Sequence, residues 1–300
     1  MPPIRLGTRG SPLALIQANF VRDALFAVHG IHSEIIVIRT TGDRVQDRAL
    51  AEIGGKALWT KELDRALLGC EIDIAVHSMK DVETIRPPEI ALAAMLERAD
   101  PRDRLVGATS LAAIRPSGVV GTSSPRRRAQ VLRARPDLGV VLLRGNVDTR
   151  LAKLAAGEAD ATLLAAAGLD RLGRGDIGVA MELAEMLPAP AQGAVGVECR
   201  ADDAMMLGLL GRIDHADTSR AVRCERALLA ALDATCHSPV AALATVSGTT
   251  INLRAELFSE DGRDHVSGEG SGSECDALAH DLARSLLDRA PLSLRAGFGG

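Results

Sequence analysis

The chain has 300 residues, a length that predicts two domains and readily accommodates three. Its net charge of −4 argues against a general polyanion binder. With four Phe, one Trp and no Tyr, packing must fall to Leu, Ala, Val and Ile, which the 47% hydrophobic content supplies for several cores. The five cysteines (Cys70, Cys199, Cys224, Cys236 and Cys275) show no CxxC or Cys/His spacing, so neither a zinc site nor a disulfide framework is expected. The amino terminus lacks an apolar core segment and no run of eighteen apolar residues occurs. The expectation is a cytoplasmic protein with no membrane partner.

Ile4 to Leu6 reads as a strand and Gly7 to Gly10 as a loop. Ser11-Pro12 then opens a helix, with Ser11 as N-cap and Gly30 as its stop. Leu13, Ile16, Phe20, Ala24 and Ala27 recur at helical spacing and are expected to form its buried stripe. Arg9 precedes the positive end of this helix, where a cation is locally unfavourable. It is either a surface arginine or half of an anion site. Glu34 to Arg39 is a second strand. The segment 44–56, ending in Gly54-Gly55-Lys56, reads equally as a lid or as a plain surface loop.

Ala57 to Leu68 is a predicted helix, and Ile72 to Val76 a buried strand that turns abruptly polar at His77-Ser78-Met79-Lys80-Asp81. Ligands of open α/β sheets bind beyond the carboxyl ends of strands, so Lys80 and Asp81 are site candidates; the alternative is a solvated loop pair. Ile90 to Met95 is another strand, and Ala99 to Asp103 a polar breaker and candidate crossing between domains.

The βα pattern then restarts. Val119-Val120 leads through Gly121-Thr122-Ser123-Ser124-Pro125 into a helix whose first turn carries Arg126, Arg127 and Arg128. Each arginine opposes the helix dipole by about 0.3–1 kcal/mol if exposed, and a bound anion reverses that sign. A solvated or nucleic-acid-facing basic patch is the competing reading. Val140 to Leu143 delivers Arg144, the next helix carries Arg150, and the strand 161–164 is followed by a helix with Arg171. Arginine suits two-pronged recognition of carboxylates, so a ligand with several carboxylates is inferred. Pro188 to Gly193 is a second crossing, Ala194 to Glu198 a strand that returns to the first unit, and a cleft between the units is expected to hold the ligand. A helix over 217–232, a loop 233–239, a hairpin over 250–267 and a helix over 275–287 describe a small α+β unit. Cys236 sits in that loop beside His237, which favours a thiolate; an inert loop cysteine is the alternative.

Seven runs, in this order and spacing, resemble the porphobilinogen deaminase family: TRGSPLAL (8–15), GGKALWTKELD (54–64), DIAVHSMKDV (73–82), GTSSPRRR (121–128), RGNVDTRL (144–151), AAGLDRLG (166–173) and PAPAQGAVGVECR (188–200). The resemblance implies two lobes like type II periplasmic binding proteins and a small C-terminal α+β domain. The expected division is 1–98 with 193–213, 99–192, and 214–300. It also implies that four porphobilinogen molecules are joined head to tail, with loss of ammonia, into hydroxymethylbilane. A dipyrromethane cofactor would be held by a thioether to Cys236.

On the matching positions, Asp81 would be catalytic. Lys80, Ser124, Arg126 and Arg127 would surround the cofactor. Arg9, Ser11, Arg171 and Lys56, at the end of the segment 44–56, would meet substrate or the growing chain, and Arg144 and Arg150 would serve both cofactor and substrate. A monomer with no nucleic-acid partner is expected. The departures from the family pattern are Ala234-Thr235 in place of glycines before Cys236, the proline of SSPRRR and the alanine of PAPAQG. A non-catalytic anion-binding protein on the same scaffold is the alternative from another class. Nucleic-acid binding ranks last for want of aromatic residues and basic charge.

Overall fold

In the computed structural model, which describes residues 2–39, 60–235 and 237–298, three sheets organise the described chain. The first begins with β1 (Ile4–Arg9), flanked in parallel by β2 (Ser33–Ile38) and β3 (Ile74–Ser78). Between β1 and β2 runs α1 (Pro12–His29). Ser11 caps it by accepting the Ala14 N–H, and Gly30, in the left-handed region at φ 66°, closes it with its N–H on Phe26 O. The predicted stripe of α1 is corrected: Phe20 is 45% exposed, while Gln17, Ala18, Val21 and Leu25 face the sheet. The amino half of this helix is apolar almost all round, so two stripes satisfy the same period and only the sheet chooses between them.

α2 (Lys61–Leu68) precedes β3, and β4 (Ile90–Met95) forms the edge of the sheet. The fifth strand, β10 (Val195–Arg200), comes from far along the chain and inserts antiparallel between β3 and β4. The second sheet repeats the plan. β6 (Val119–Gly121) is flanked in parallel by β7 (Gly139–Val141) and β8 (Ala161–Ala165). β5 (Asp103–Val106) then lies antiparallel to β8, with β9 (Val179–Ala180) outermost. Each crossing of the chain thus runs straight into the antiparallel strand of the other sheet. The segment read as a polar breaker ends in β5, because the Asp103 side chain has buried partners that offset its cost there.

α3 (Pro125–Ala134), α4 (Val147–Ala155) and α5 (Ala166–Arg171) follow β6, β7 and β8, which puts their amino ends at one edge of the second sheet. α6 (Ala204–Leu210), which the periodicity did not disclose, packs on the first sheet. The two lobes share one plan, a five-stranded mixed sheet of order β2-β1-β3-β10-β4 in one and β7-β6-β8-β5-β9 in the other.

The third sheet is an antiparallel meander of β11 (Val240–Ser247), β12 (Thr250–Phe258) and β13 (His265–Gly272), covered by α7 (Ala216–Ala231) and α8 (Cys275–Arg289), with α9 (Leu292–Arg295) beyond. The predicted hairpin is β12–β13. β11 was missed because its run, VAALATVS, is alanine-rich and lacks a clean two-residue alternation.

Candidate active site

β3 ends at Ser78, and the chain tightens into a single 3-10 turn, Met79–Asp81. Met79 is buried beneath that turn, and its N–H donates to Ala194 O at 3.1 Å. A side chain at Gly196 on β10 would collide with Met79 Sδ, so glycine there lets the return strand pass under the turn. This local packing turns Lys80 and Asp81 to the carboxyl end of β3, where the sequence placed them.

Two hollows meet at this turn. The first, about 460 Å³ including its mouth, is walled by Arg9 and Ser11 from the entry to α1, by Gln17, Thr60, His77 and Ser78, and by Asp81. The second, about 440 Å³, has Lys80 on one side, Ser124 and Arg126 on another, and Arg226, Thr235 and Ser238 on a third. All three sheets therefore contribute to the surroundings of Lys80 and Asp81.

The electrostatics confirm the convergence. Burial, aided by the positive charges of Arg127 and Arg150, draws the Lys80 ammonium down to about 8, against the opposing pull of Asp81 and Asp103. Burial likewise brings the Arg150 guanidinium down to about 10, with Arg127 and Arg144 adding to the effect and Asp81 resisting it. Arg144 is buried at the end of the β7 segment, and Arg150 Nε donates to Gly145 O at 2.9 Å. Arg171 stands further off: its Nη2 donates to Gly193 O at 2.7 Å, on the second crossing.

The arginine triplet divides. Arg126 and Arg127 point inward, and one carboxylate, Asp103, joins them at 2.8 and 2.7 Å. Asp103 is wholly buried, yet those two cations hold its carboxyl well below the usual range. Arg126 Nη1 donates to Gln130 Oε1 and Leu187 O, and Arg127 Nη1 to Leu163 O, while the Nε of each arginine is buried without a hydrogen-bond partner among the described residues. Arg128 turns outward onto Val140 O. The anion expected at this helix end is thus in part a side chain of the protein, which leaves the first two arginines rigidly aimed. Ser124 caps α3 by accepting the Arg127 N–H at 3.4 Å.

Several residues at the site escaped the sequence reading. Gln17, 2% exposed, meets the Ser78 hydroxyl at 2.9 Å. Gln192 donates to Asp103 at 2.9 Å and to Pro101 O at 2.6 Å, tying both crossings to the paired arginines. Behind His77 lies Glu198, gripped by Arg86 through two bonds of 2.8 Å. His77 Nε2 lies 3.1 Å from Glu198 Oε2, off the hydrogen-bond line. Burial alone would raise the Glu198 carboxyl; the close approach of His77 and the charge and hydrogen bonds of Arg86 outweigh it and hold it at about 2. The signal that could have found these residues is a polar side chain on an otherwise apolar stripe.

Lys56, the segment 44–56 and Cys236 lie outside the described residues. α7 ends with Asp233 in the left-handed region at φ 48°. The Ala234 N–H donates to Leu229 O at 2.8 Å and the Asp233 N–H to Ala230 O at 3.1 Å, a Schellman ending. Ala234 and Thr235 do not have positive φ, so neither position requires the glycine of the family pattern. Cys199 and Cys224 are packed as expected, and burial pushes their thiols up to about 11 and 12.

Two α/β lobes of one plan bring arginines, a lysine and an aspartate into one neighbourhood, a set of side chains suited to binding carboxylates. The comparisons with known proteins give the particular family. The family model described as "Porphobilinogen deaminase, dipyromethane cofactor binding domain" matches residues 4–208, and "Porphobilinogen deaminase, C-terminal domain" matches residues 219–288. A porphobilinogen deaminase of Sphingopyxis alaskensis is 59% identical over 99% of this chain and 96% of its own. One of Paracoccus denitrificans is 51% identical over 96% and 95%. This chain belongs to the porphobilinogen deaminase family.

Among solved structures, a periplasmic substrate-binding protein of an ABC transporter from Coxiella burnetii superposes with a TM-score of 0.44 at 14% identity, covering 70% of this chain and 91% of that one. The periplasmic VFT2 domain of Bordetella pertussis BvgS gives 0.41 at 16%, covering 71% and 86%. Both are too distant to carry an argument about ligand.

Proposed function

We propose that this chain performs its family's reaction, the head-to-tail joining of four porphobilinogen molecules with release of ammonia to give hydroxymethylbilane, at the turn that carries Lys80 and Asp81. The observation that supports this placement is the meeting of Asp81 with Lys80, Arg127 and Arg150 in one electrostatic neighbourhood at the carboxyl end of β3.

Asp81 is the catalytic residue in this reading. Loss of ammonia leaves an electron-poor carbon on the incoming unit, and its capture by a pyrrole places positive charge on that ring. A carboxylate fixed by a short turn stabilises the developing charge and passes on the proton that must leave. Each porphobilinogen brings two carboxylates, and the growing chain accumulates them. Arg9, Ser11, Lys56 and Arg171 receive substrate, and Arg144 and Arg150 serve both cofactor and substrate. The chain works as a monomer in this reading. It is divided into 1–98 with 193–213, 99–192, and 214–300, a division supported by the membership of the three sheets.

The family model names a dipyrromethane cofactor, and the residues present fit one: the second hollow is lined by Lys80, Ser124 and Arg126 and by Thr235 and Ser238, which flank Cys236 in the chain. Cys236 would hold it by a thioether, and Lys80, Ser124, Arg126 and Arg127 would hold its carboxylates. When bound, it supplies the pyrrole carbon to which the first unit is joined. Arg126 and Arg127, immobilised on Asp103, offer fixed positive charge without a further ordering cost.

The test is the intact mass of the denatured protein with peptide mapping, beside porphobilinogen consumption. An added dipyrromethane on Cys236, lost in Cys236→Ser, supports the assignment. Covalent pigment surviving that substitution overturns it.

A further inference from the structure

We infer that Thr84 is a positioning residue for the reaction, whose hydroxyl sets the distance between the Asp81 turn and the loop bearing Cys236. This rests on the function proposed above. The chain leaves Asp81 through Val82-Glu83-Thr84, and the Thr84 hydroxyl donates to Ala234 O at 2.8 Å. Ala234 is 3% exposed and stands two residues before Cys236. Its N–H is fixed on Leu229 by the helix ending, so both of its backbone groups are held and the Thr84 bond transmits position rather than merely satisfying a carbonyl.

The tie is returned from the other side. Arg226, on the last turns of α7, donates to Val82 O at 3.3 Å, to Glu83 O at 2.6 Å and to Thr84 O at 3.1 Å. A half-buried guanidinium that serves three successive carbonyls, with no carboxylate in hydrogen-bond contact among the described residues, fixes a backbone path. Thus α7 holds the segment after Asp81, and that segment holds the residue just past the end of α7. His237 feels the result: it lies within the fields of Asp81 and Glu83, which oppose the lowering that burial imposes on its imidazole.

Threonine is suited to this tie. Its hydroxyl supplies the donor, and its β-branched side chain leaves few rotamers in which the donor can stray. Thr84→Val keeps the shape and removes the donor; Thr84→Ser keeps the donor. A displacement well under 1 Å of one reacting partner against a fixed carboxylate costs about tenfold in rate, whereas uniform binding of substrate is untouched.

The experiment is steady-state kinetics with porphobilinogen on purified full-length wild type, Thr84→Val and Thr84→Ser, each with intact mass and melting temperature. The expected result is that Thr84→Val melts within a few degrees of wild type, keeps KM within about twofold and loses about tenfold in kcat, while Thr84→Ser is restored to within about twofold. Loss of the adduct in Thr84→Val but not in Thr84→Ser supports the same role. Wild-type kcat in Thr84→Val, a rise in KM alone, or equal impairment of both variants overturns it. Wild-type protein that has neither adduct nor turnover would instead overturn the function on which the inference rests.

Discussion

The Glu225 carboxylate grips the Arg98 guanidinium through two bonds, of 2.6 and 3.1 Å, with Glu225 fully buried. Glu225 belongs to α7 and Arg98 to the first crossing between the lobes. The same carboxylate accepts the Ala191 N–H of the second crossing at 2.5 Å and the Ala244 N–H of β11 at 2.7 Å. One acidic side chain of the third unit thus holds both strands of the connection. Replacing it by glutamine leaves Arg98 without its counter-charge, an arrangement that typically costs about 3–5 kcal/mol. Glu225→Gln should lower the melting temperature by roughly 10 °C, measured by scanning calorimetry. A shift of a degree or less would show that the pair adds nothing.

Asp81 supplies the sharpest test of the site. Its side chain lines a hollow without belonging to a core cluster, so Asp81→Ala should fold and retain covalent pigment. Turnover of porphobilinogen should fall by at least about 100-fold. Glutamate, which moves the charge by one methylene, should also be impaired. Ordinary turnover in the alanine variant would remove Asp81 from the mechanism.

Lys80 gives a dependence on pH. Its pKa in the folded chain, about 8, lies below the 10.5 of an unperturbed lysine. Between these values the unfolded chain binds more protons than the folded one, so this group's contribution to stability rises with pH across that window. Its contribution to carboxylate binding runs the other way, present below about 8 and lost above it; a bound carboxylate, by favouring the ammonium, moves that limb upward. Turnover of porphobilinogen should therefore fall at alkaline pH in the wild type, as the grip of Lys80 on the cofactor's carboxylates is lost, and stay flat in Lys80→Arg, whose charge persists. Identical profiles in both proteins would discard Lys80 as the source.

Ala191 has φ of 62°, a left-handed conformation that costs a residue with a Cβ about 1–2 kcal/mol. The Glu225 bond to its N–H holds it there. Ala191→Gly relieves that strain, but it adds freedom to the unfolded chain and removes a methyl that is 2% exposed in a cluster with Met79, Val82 and Val222, so the terms offset to within about 1 kcal/mol. The melting temperature should therefore move by no more than about 2 °C; a larger rise would mean that strain dominates, and a larger fall that the methyl does.

Much of this was legible in the chain itself. Ser11-Pro12 and Gly30 announced α1, because capping is a local matter of one side chain and one permitted φ. The apolar run ending at His77 announced β3, and the abrupt polarity after it announced the turn that carries Lys80 and Asp81, because a buried strand and a partly exposed turn differ in composition over a few residues. The motifs named the family for a similar reason: residues that meet a reacting substrate leave little choice of type.

What the sequence could not decide is which partners those residues would have. The buried face of α1, Gln17 rather than Phe20, was chosen by the sheet beneath it. Asp103 looked like part of a polar turn, and only the return of α3 over β5 makes it the shared anion of Arg126 and Arg127. Nothing within the helix 217–232 marks Glu225 as a buried charge; two crossings, some 90 residues apart in the chain, close on it. Capping, strand formation and residue chemistry are fixed within a few neighbouring residues, and the sequence by itself determined them. The pairing of buried charges depends on segments brought together by packing, in surroundings where an unpaired charge is too costly to survive, and only the tertiary structure decided it.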